Sequence, residues 1–221
     1  MNRLRIMVVV LVVLSLFSSV AFCAEEKAAS GKKKSLGAKT IASLTPVWVI
    51  GSYDAEGKPN MMTASWAGIS CSKPPCVAVS LRKVTYTFGN IVANAAFTVN
   101  IPSEQYAPES AFFGTVSGRD MDKLAITGLT PVRSELVNAP YLKEFPLILE
   151  CKVARIVELG RHTMFIGEIV DVKADESILD KKGMPNPQKL KPFFFDFLTW
   201  DFYSIGKPIG KVDDLQAKIK R

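Results

Sequence analysis

One histidine in 221 residues, His162, makes a histidine-rich metal site impossible. Four cysteines are too few for a disulfide scaffold, and no two Cys or His pairs combine into a zinc-ligand pattern. The chain also lacks a Gly-x-Ser-x-Gly elbow, a Walker loop and a Gly-x-Gly-x-x-Gly turn, so the common hydrolase, nucleotidase and dinucleotide signatures are missing. Any redox chemistry therefore needs a borrowed group. Basic stripes are missing too: 28 Lys plus Arg against 21 Asp plus Glu gives +7, but the excess is not gathered on one segment, which argues against nucleic acid. A chain 48% hydrophobic and 22% charged is neither disordered nor collagen-like, and its length fits one domain.

Only one long apolar run is present, residues 6–17, preceded by Arg3 and Arg5 and followed by Ser18-Ser19 and then Val20-Ala21-Phe22-Cys23-Ala24. That order is a secretory signal peptide over residues 1–24, and a core of about a dozen residues is short of the roughly 20 needed to span a bilayer. Cleavage after Cys23 and cleavage after Ala24 both stay open. Phe22 stands where lipoprotein processing wants a small residue ahead of Cys23, so an exported periplasmic or secreted protein with no membrane span after cleavage is expected. Cleavage removes Arg3, Arg5 and no acid, lowering the charge from +7 to +5. Residues 25–41, rich in Ala, Ser, Gly and Lys, read as a flexible tether, and residues 42–221 as the folded domain.

From residue 42 the pattern is short apolar runs broken by turn signals, which predicts a mainly β domain with short helices. Strands are expected over 46–53 and 59–66, joined by the turn Asp54-Ala55-Glu56-Gly57, and over 76–81 and 96–101. Two long runs, 147–159 and 162–172, read as a hairpin about Gly160-Arg161. Helices are expected over 85–95, with Phe88, Ile91 and Val92 on one face, and over 103–113, with a further turn near 120–125. Residues 193–205 form an aromatic-rich final segment. Six or seven strands suggest a closed or partly closed barrel, because closure removes exposed edges.

Two stretches carry chemistry. Thr63, Ala64, Ser65 and Trp66 end a strand in small residues and an indole, leaving short donors to meet a flat polar heterocycle. Ser80, Arg82, Tyr86 and Thr87 accompany a strand end that runs into a helix start, where unpaired N–H groups and the dipole favour an anion such as phosphate. An alternative stays open: Thr85 or Thr87 caps its own helix and the cations are solvated.

These stretches, in order with Pro74-Pro75, Phe97-Thr98-Val99-Asn100, the run from Ser117 to Lys123, Gly167-Glu168 and Ile205-Gly206-Lys207-Pro208, resemble the flavin reductase-like, FMN-binding split-barrel proteins, especially the flavoredoxin branch. The resemblance spans about three quarters of the chain. It implies a split β-barrel that forms a homodimer and binds FMN near the subunit interface. Thr63, Ala64, Ser65 and Trp66 would line the ring, and Ser80, Arg82, Tyr86 and Thr87 would surround ribityl and phosphate. Asn100, Ser117, Gly118 and Lys123 would complete the pocket. His162 matches a position where some relatives carry a histidine near the nicotinamide, to place a hydride donor or supply a proton; the alternative is a solvated turn histidine.

The expected function is transfer of electrons from NADH, NADPH or a protein donor through bound FMN to a small-molecule or protein acceptor. Export favours a protein donor, since reduced nicotinamides are scarce outside the cytoplasm. The rivals are a non-catalytic flavin carrier or sensor, and a barrel holding haem or another flat ligand. Cys71 and Cys76 are free thiols, a small-loop disulfide or a redox pair feeding the flavin. Cys151 reads as packing. The rings of residues 193–195, 200, 202 and 203 are expected in the core or dimer interface; the alternative is that one of them covers the flavin.

Overall fold

A computed structural model of the chain describes residues 31–42 and 44–219. These fall in two units, the first ending at Thr40 and the second running from Ile41. In the first unit, residues 31–40 are exposed and carry neither helix nor strand. The signal segment 1–24 and residues 25–30 of the expected tether lie outside the described residues. Among the described residues, no helix is long and apolar enough to cross a membrane.

The second unit is built on seven antiparallel strands: β2 (Trp48–Tyr53), β3 (Pro59–Ala64), β4 (Ala67–Ser72), β5 (Pro75–Arg82), β6 (Ala96–Ile101), β9 (Leu147–Leu159) and β10 (His162–Ala174). Their order is β3-β2-β6-β9-β10-β5-β4, so the two edge strands are consecutive in the chain. The bend at Ser65 and Trp66 joins them across the gap. One apolar cluster takes Trp48 and Ile50 from β2, Ala64 from β3, Val77, Val79 and Leu81 from β5, Phe97 and Val99 from β6, Leu149 from β9 and Phe165 from β10. A sheet whose two ends share a core must curl, and here it curls into a barrel left split between β3 and β4. At 25 cal/mol per Å², each such side chain contributes roughly 1.5–3 kcal/mol by burial.

Smaller pieces surround the barrel. β1 (Thr45–Pro46), β11 (Phe193–Asp196) and β12 (Asp201–Ser204) make a three-stranded sheet, and β7 (Pro131–Arg133) pairs with β8 (Pro140–Leu142). Helices α1 (Tyr86–Asn94), α2 (Ala107–Thr115), α3 (Lys123–Thr127), α4 (Pro187–Leu190) and α5 (Val212–Ala217) complete the described elements, apart from two 3₁₀ turns.

The expected strands and helices recur with two corrections. β4 was absent from the expectation, because Ala-Gly-Ile-Ser-Cys-Ser has neither a long apolar run nor clean alternation; it sits at an edge with Ile69 exposed. On α1 the buried stripe is Thr87, Asn90 and Ile91, while Val92 points outward at 49% exposure. Polar side chains on this helix face the barrel: Asn90 Nδ2 donates to Ser52 Oγ, and Asn94 Nδ2 to the Tyr53 carbonyl. In the final segment, Phe193 is buried and stacks edge-on with Phe202, but Trp200 and Tyr203 are largely exposed.

Candidate functional site: a cationic cavity beside an aromatic shelf

A cavity of about 340 Å³ opens where the end of β5 turns into α1. Arg82, Tyr86, Thr87, Ser117, Gly118 and Lys123 all line it, so six residues separated by up to 41 positions in sequence come together. Asn60, Met62, Thr85, residues 113–116, Arg119 and Asp120 complete the wall.

The local sequence explains the shape. Thr85 stands at the cap position of α1 in an extended conformation, yet makes no side-chain cap bond; its hydroxyl donates back to the Arg82 carbonyl. Thr87 does not cap the helix either, for its Oγ1 accepts from Asn60 Nδ2 at 2.9 Å in the buried wall. No acid lies in the first turn, so the amide N–H groups there keep their positive end free of a side-chain acceptor. The self-capping alternative is thereby set aside.

Asp54 fixes the Tyr86 end. Its carboxylate accepts from the Tyr86 hydroxyl at 2.8 Å and from the amides of Glu56 and Lys58. Burial would raise this carboxyl, but the hydrogen bonds from Lys58, Tyr86 and Glu56 outweigh it and hold the group below its ordinary value. Burial, with the bond to Asp54, pushes the Tyr86 hydroxyl up, so it stays a donor. On the opposite wall the Arg119 guanidinium lies 5.1 Å from the centre of the Tyr86 ring and donates to the Val84 carbonyl. Gly118 is pressed so close to Asn60 and Tyr86 that a Cβ there would collide with Asn60 Oδ1. That Oδ1 is buried with no partner of its own.

Lys123 is the unusual group. It is 4% exposed, and its Nζ donates to the carbonyls of Phe113, at 3.4 Å, and Val116, at 3.2 Å, with the Phe113 ring centre 5.8 Å away. These are orphan carbonyls at the C-terminal end of α2, a favourable but weak berth for a cation. No carboxylate pairs with Lys123 among the described ion pairs; its neighbour Asp122 pairs with Lys58 instead. Burial lowers the Lys123 ammonium to about 8, which leaves it mostly charged at neutral pH. A buried cation without an anion is costly, and here it borders an open cavity that also holds Arg82 and a bare helix start.

An aromatic shelf lies beside this cavity. His162 is directly opposite Arg82 in the β10–β5 ladder, and its ring is 4.5 Å from that of Trp66, which also meets Phe197 at 6.5 Å. The Trp66 carbonyl is held by the Ser80 amide at 2.9 Å, which locks the shelf to β5. Burial, with Arg161 and Arg82 nearby, lowers the His162 imidazole, so it is neutral at pH 7. A neutral imidazole fits stacking or hydrogen bonding better than delivery of a proton from imidazolium.

The remaining expected site residues are placed differently. Asn100 is fully buried and does not line the cavity, and both its amide hydrogens are used: Nδ2 donates to the Val49 carbonyl and Thr98 Oγ1, while Oδ1 accepts from the Leu142 amide. It ties β2, β6 and β8 together and is not among the residues that line this cavity. Ala64 belongs to the core, and Thr63 turns to α2, where its hydroxyl donates to the Ser110 carbonyl. Ser80 is in the ladder and Ser65 at the bend, and neither lines the cavity. Asn60, Met62, Gly114 and Arg119 were missed. Met62, at the head of the run that ends in Trp66, and Arg119, inside the Ser117 to Lys123 run, carried a sequence signal; Asn60 and Gly114 need the fold to be brought in.

A family model described as "Flavin reductase like domain" matches residues 42–190. Among solved structures, the chain is similar to the flavoredoxin of Desulfovibrio vulgaris (Miyazaki F), at 48% identity and a TM-score of 0.78 over 82% of this chain and 97% of that one. A flavoredoxin from Methanosarcina acetivorans gives 28% identity and a TM-score of 0.77 over 82% and 96% of the two chains. The reductase component of a 4-nitrophenol 4-monooxygenase/4-nitrocatechol 2-monooxygenase from Rhodococcus opacus is 30% identical over 119 residues, covering 54% of this chain and 60% of its own. A bare helix start, three cations and an unpartnered amide oxygen on one cavity, with a flat aromatic shelf beside it, fit a phosphorylated heterocycle. The chain belongs to the flavin reductase-like family and is a flavin-binding redox protein of the split-barrel fold.

Proposed function

We propose that the protein is an exported, homodimeric FMN protein of the flavoredoxin kind that takes electrons from a protein donor. The observation that carries the choice of FMN is Lys123: a buried ammonium held by two long carbonyl contacts and the Phe113 ring, with no carboxylate among the described ion pairs, on the cavity wall that Arg82 and the open start of α1 share. A phosphate there supplies the missing counter-charge. Thr85, Thr87, Ser117 and the backbone around Gly118 line the same cavity and would hold the phosphate and the adjoining polyol. Trp66, His162 and Ser65 would flank the ring, which, when bound, accepts and releases the electrons.

The chain's own residues bind and orient. Asp54 and Arg119 fix Tyr86 from two sides, and the Trp66–His162 stack gives a flat surface beside Arg82. His162, neutral at pH 7, positions an incoming group by stacking and hydrogen bonding.

Dimer formation is supported by the β9–β10 hairpin. It shows Ile156, Val157 and Leu159 near its turn, and Val170 and Val172 towards its base, to solvent, more apolar surface than a monomeric hairpin keeps. Export rests on the apolar segment 6–17 behind Arg3 and Arg5.

The test is stopped-flow reduction of the FMN-loaded full chain under anaerobic conditions. A reduced low-potential electron-transfer protein is expected to bleach the flavin faster than NADH or NADPH at equal concentration. Fast reduction by a nicotinamide alone would overturn the protein donor, and no reduction by any of them would make the protein a carrier.

A further inference from the structure

In the β4–β5 hairpin, Cys71 stands directly opposite Cys76, with Ser72 opposite Pro75 closing the turn. Facing residues in an antiparallel pair have Cα atoms about 4.5 or 5.5 Å apart, depending on the hydrogen-bonding class of the pair. Both values lie within the roughly 4.4–6.8 Å span that a disulfide accepts, and facing residues project to the same side of the sheet. Both thiols are free.

The two are unequal. Cys71 is exposed and Cys76 is 6% exposed. Burial raises the Cys76 thiol, and the neighbouring Cys71 and Glu168 raise it further. The third described cysteine takes no part: Cys151 is fully buried in the barrel core, its thiol pushed up to about 12 by burial and by Cys76 and Glu150. An accessible thiol beside a sheltered one is the arrangement of an attacking and a resolving cysteine.

We propose that Cys71 and Cys76 are a reversible thiol–disulfide site that reacts with low-molecular-weight disulfides. The Cys71 thiolate attacks one sulfur of the small disulfide, forming a mixed disulfide and expelling one thiolate. The Cys76 thiolate then attacks the Cys71 sulfur and expels the second thiolate. The two protons lost by Cys71 and Cys76 go to the two leaving thiolates, so the protein dithiol is oxidised by two electrons and the small disulfide is reduced to two thiols. The bond closes a ring of only six residues, too short to constrain the unfolded chain much, so it acts as a reversible redox group and not as a staple.

The pair is separate from the flavin cavity. Cys76 and Arg82 lie at opposite ends of β5, roughly 20 Å apart at about 3.3 Å per residue. Electrons are therefore not handed between the two directly, which removes the idea of a thiol pair feeding the flavin at contact.

The experiment incubates the folded full chain, carrying Cys23→Ser, with oxidised glutathione, quenches in acid and maps thiols by mass spectrometry. Trypsin does not cut Lys73-Pro74, so both cysteines stay on one peptide. The expected result is loss of both thiols on that peptide with no glutathione attached, reversed by dithiothreitol, at the same extent with and without FMN. Cys76→Ser should stop at a glutathione adduct on Cys71, and Cys71→Ser, an exposed change that spares the fold, should abolish the reaction. A wild-type chain that stops at the Cys71 adduct, or whose two thiols stay unreacted while folded, would overturn the proposal, whatever the flavin measurements show.

Discussion

Replacing Lys123 by methionine separates binding from stability. Folding lowers the ammonium from its ordinary 10.5 to about 8. At about 1.4 kcal/mol per pKa unit, the charged form then weighs against the folded state by about 3 kcal/mol at neutral pH. Lys123→Met removes that charge but leaves the Phe113 and Val116 carbonyls without a donor, at a cost of about 1–2 kcal/mol. The flavin-free variant should thus be more stable by about 1–2 kcal/mol, or about 2–8 °C in Tm for a domain of this size. The sign with pH follows from the lowered value. The unfolded chain binds the extra proton between about 8 and 10.5, so the wild type gains stability as pH rises through that window and the variant does not. FMN affinity should fall about ten- to a hundredfold, the worth of one charge-assisted hydrogen bond. Thermal melts with and without FMN from pH 7 to 10, with a fluorescence titration, check all of this. A variant that melts earlier than wild type and binds FMN unchanged would refute the counter-charge reasoning.

Two further outcomes are expected. Gly118→Ala puts a methyl into Asn60 Oδ1 and should cost about 1–3 kcal/mol in a denaturant melt, with weaker FMN binding in the same titration; an unchanged melting curve would show that the wall yields freely. Ile156→Asp with Leu159→Asp places two charges on the exposed hairpin tip and should convert a dimer to monomers by light scattering; a dimer that survives would put the interface elsewhere.

The barrel was legible where burial leaves an apolar signature. Strands such as Val77 to Leu81 and the hairpin about Gly160 are written in β-branched runs, because one or both faces are packed. β4 was not, since an exposed edge strand needs no apolar residues. The cavity was half legible: the sequence around Arg82 and Thr87 announces a strand end running into a helix start, and Lys123 belongs to the same motif-bearing run as Ser117. What sequence does not carry is direction. Asn100 and Thr63 have the chemistry of ligand contacts, yet the fold turns both into braces between elements. Asn60 and Gly114 are unremarkable in sequence and reach the cavity only through the crossing of β3 and α2 beside α1.

The central claim is that the cavity of Arg82 and Lys123 receives a phosphate. Titration of the flavin-free full chain with FMN and, separately, with riboflavin tests it most directly, because the two differ only in that group. FMN should bind at least about tenfold more tightly, the equivalent of about 1.4 kcal/mol. Equal affinities, or a protein that stays colourless with FMN in excess, would contradict it.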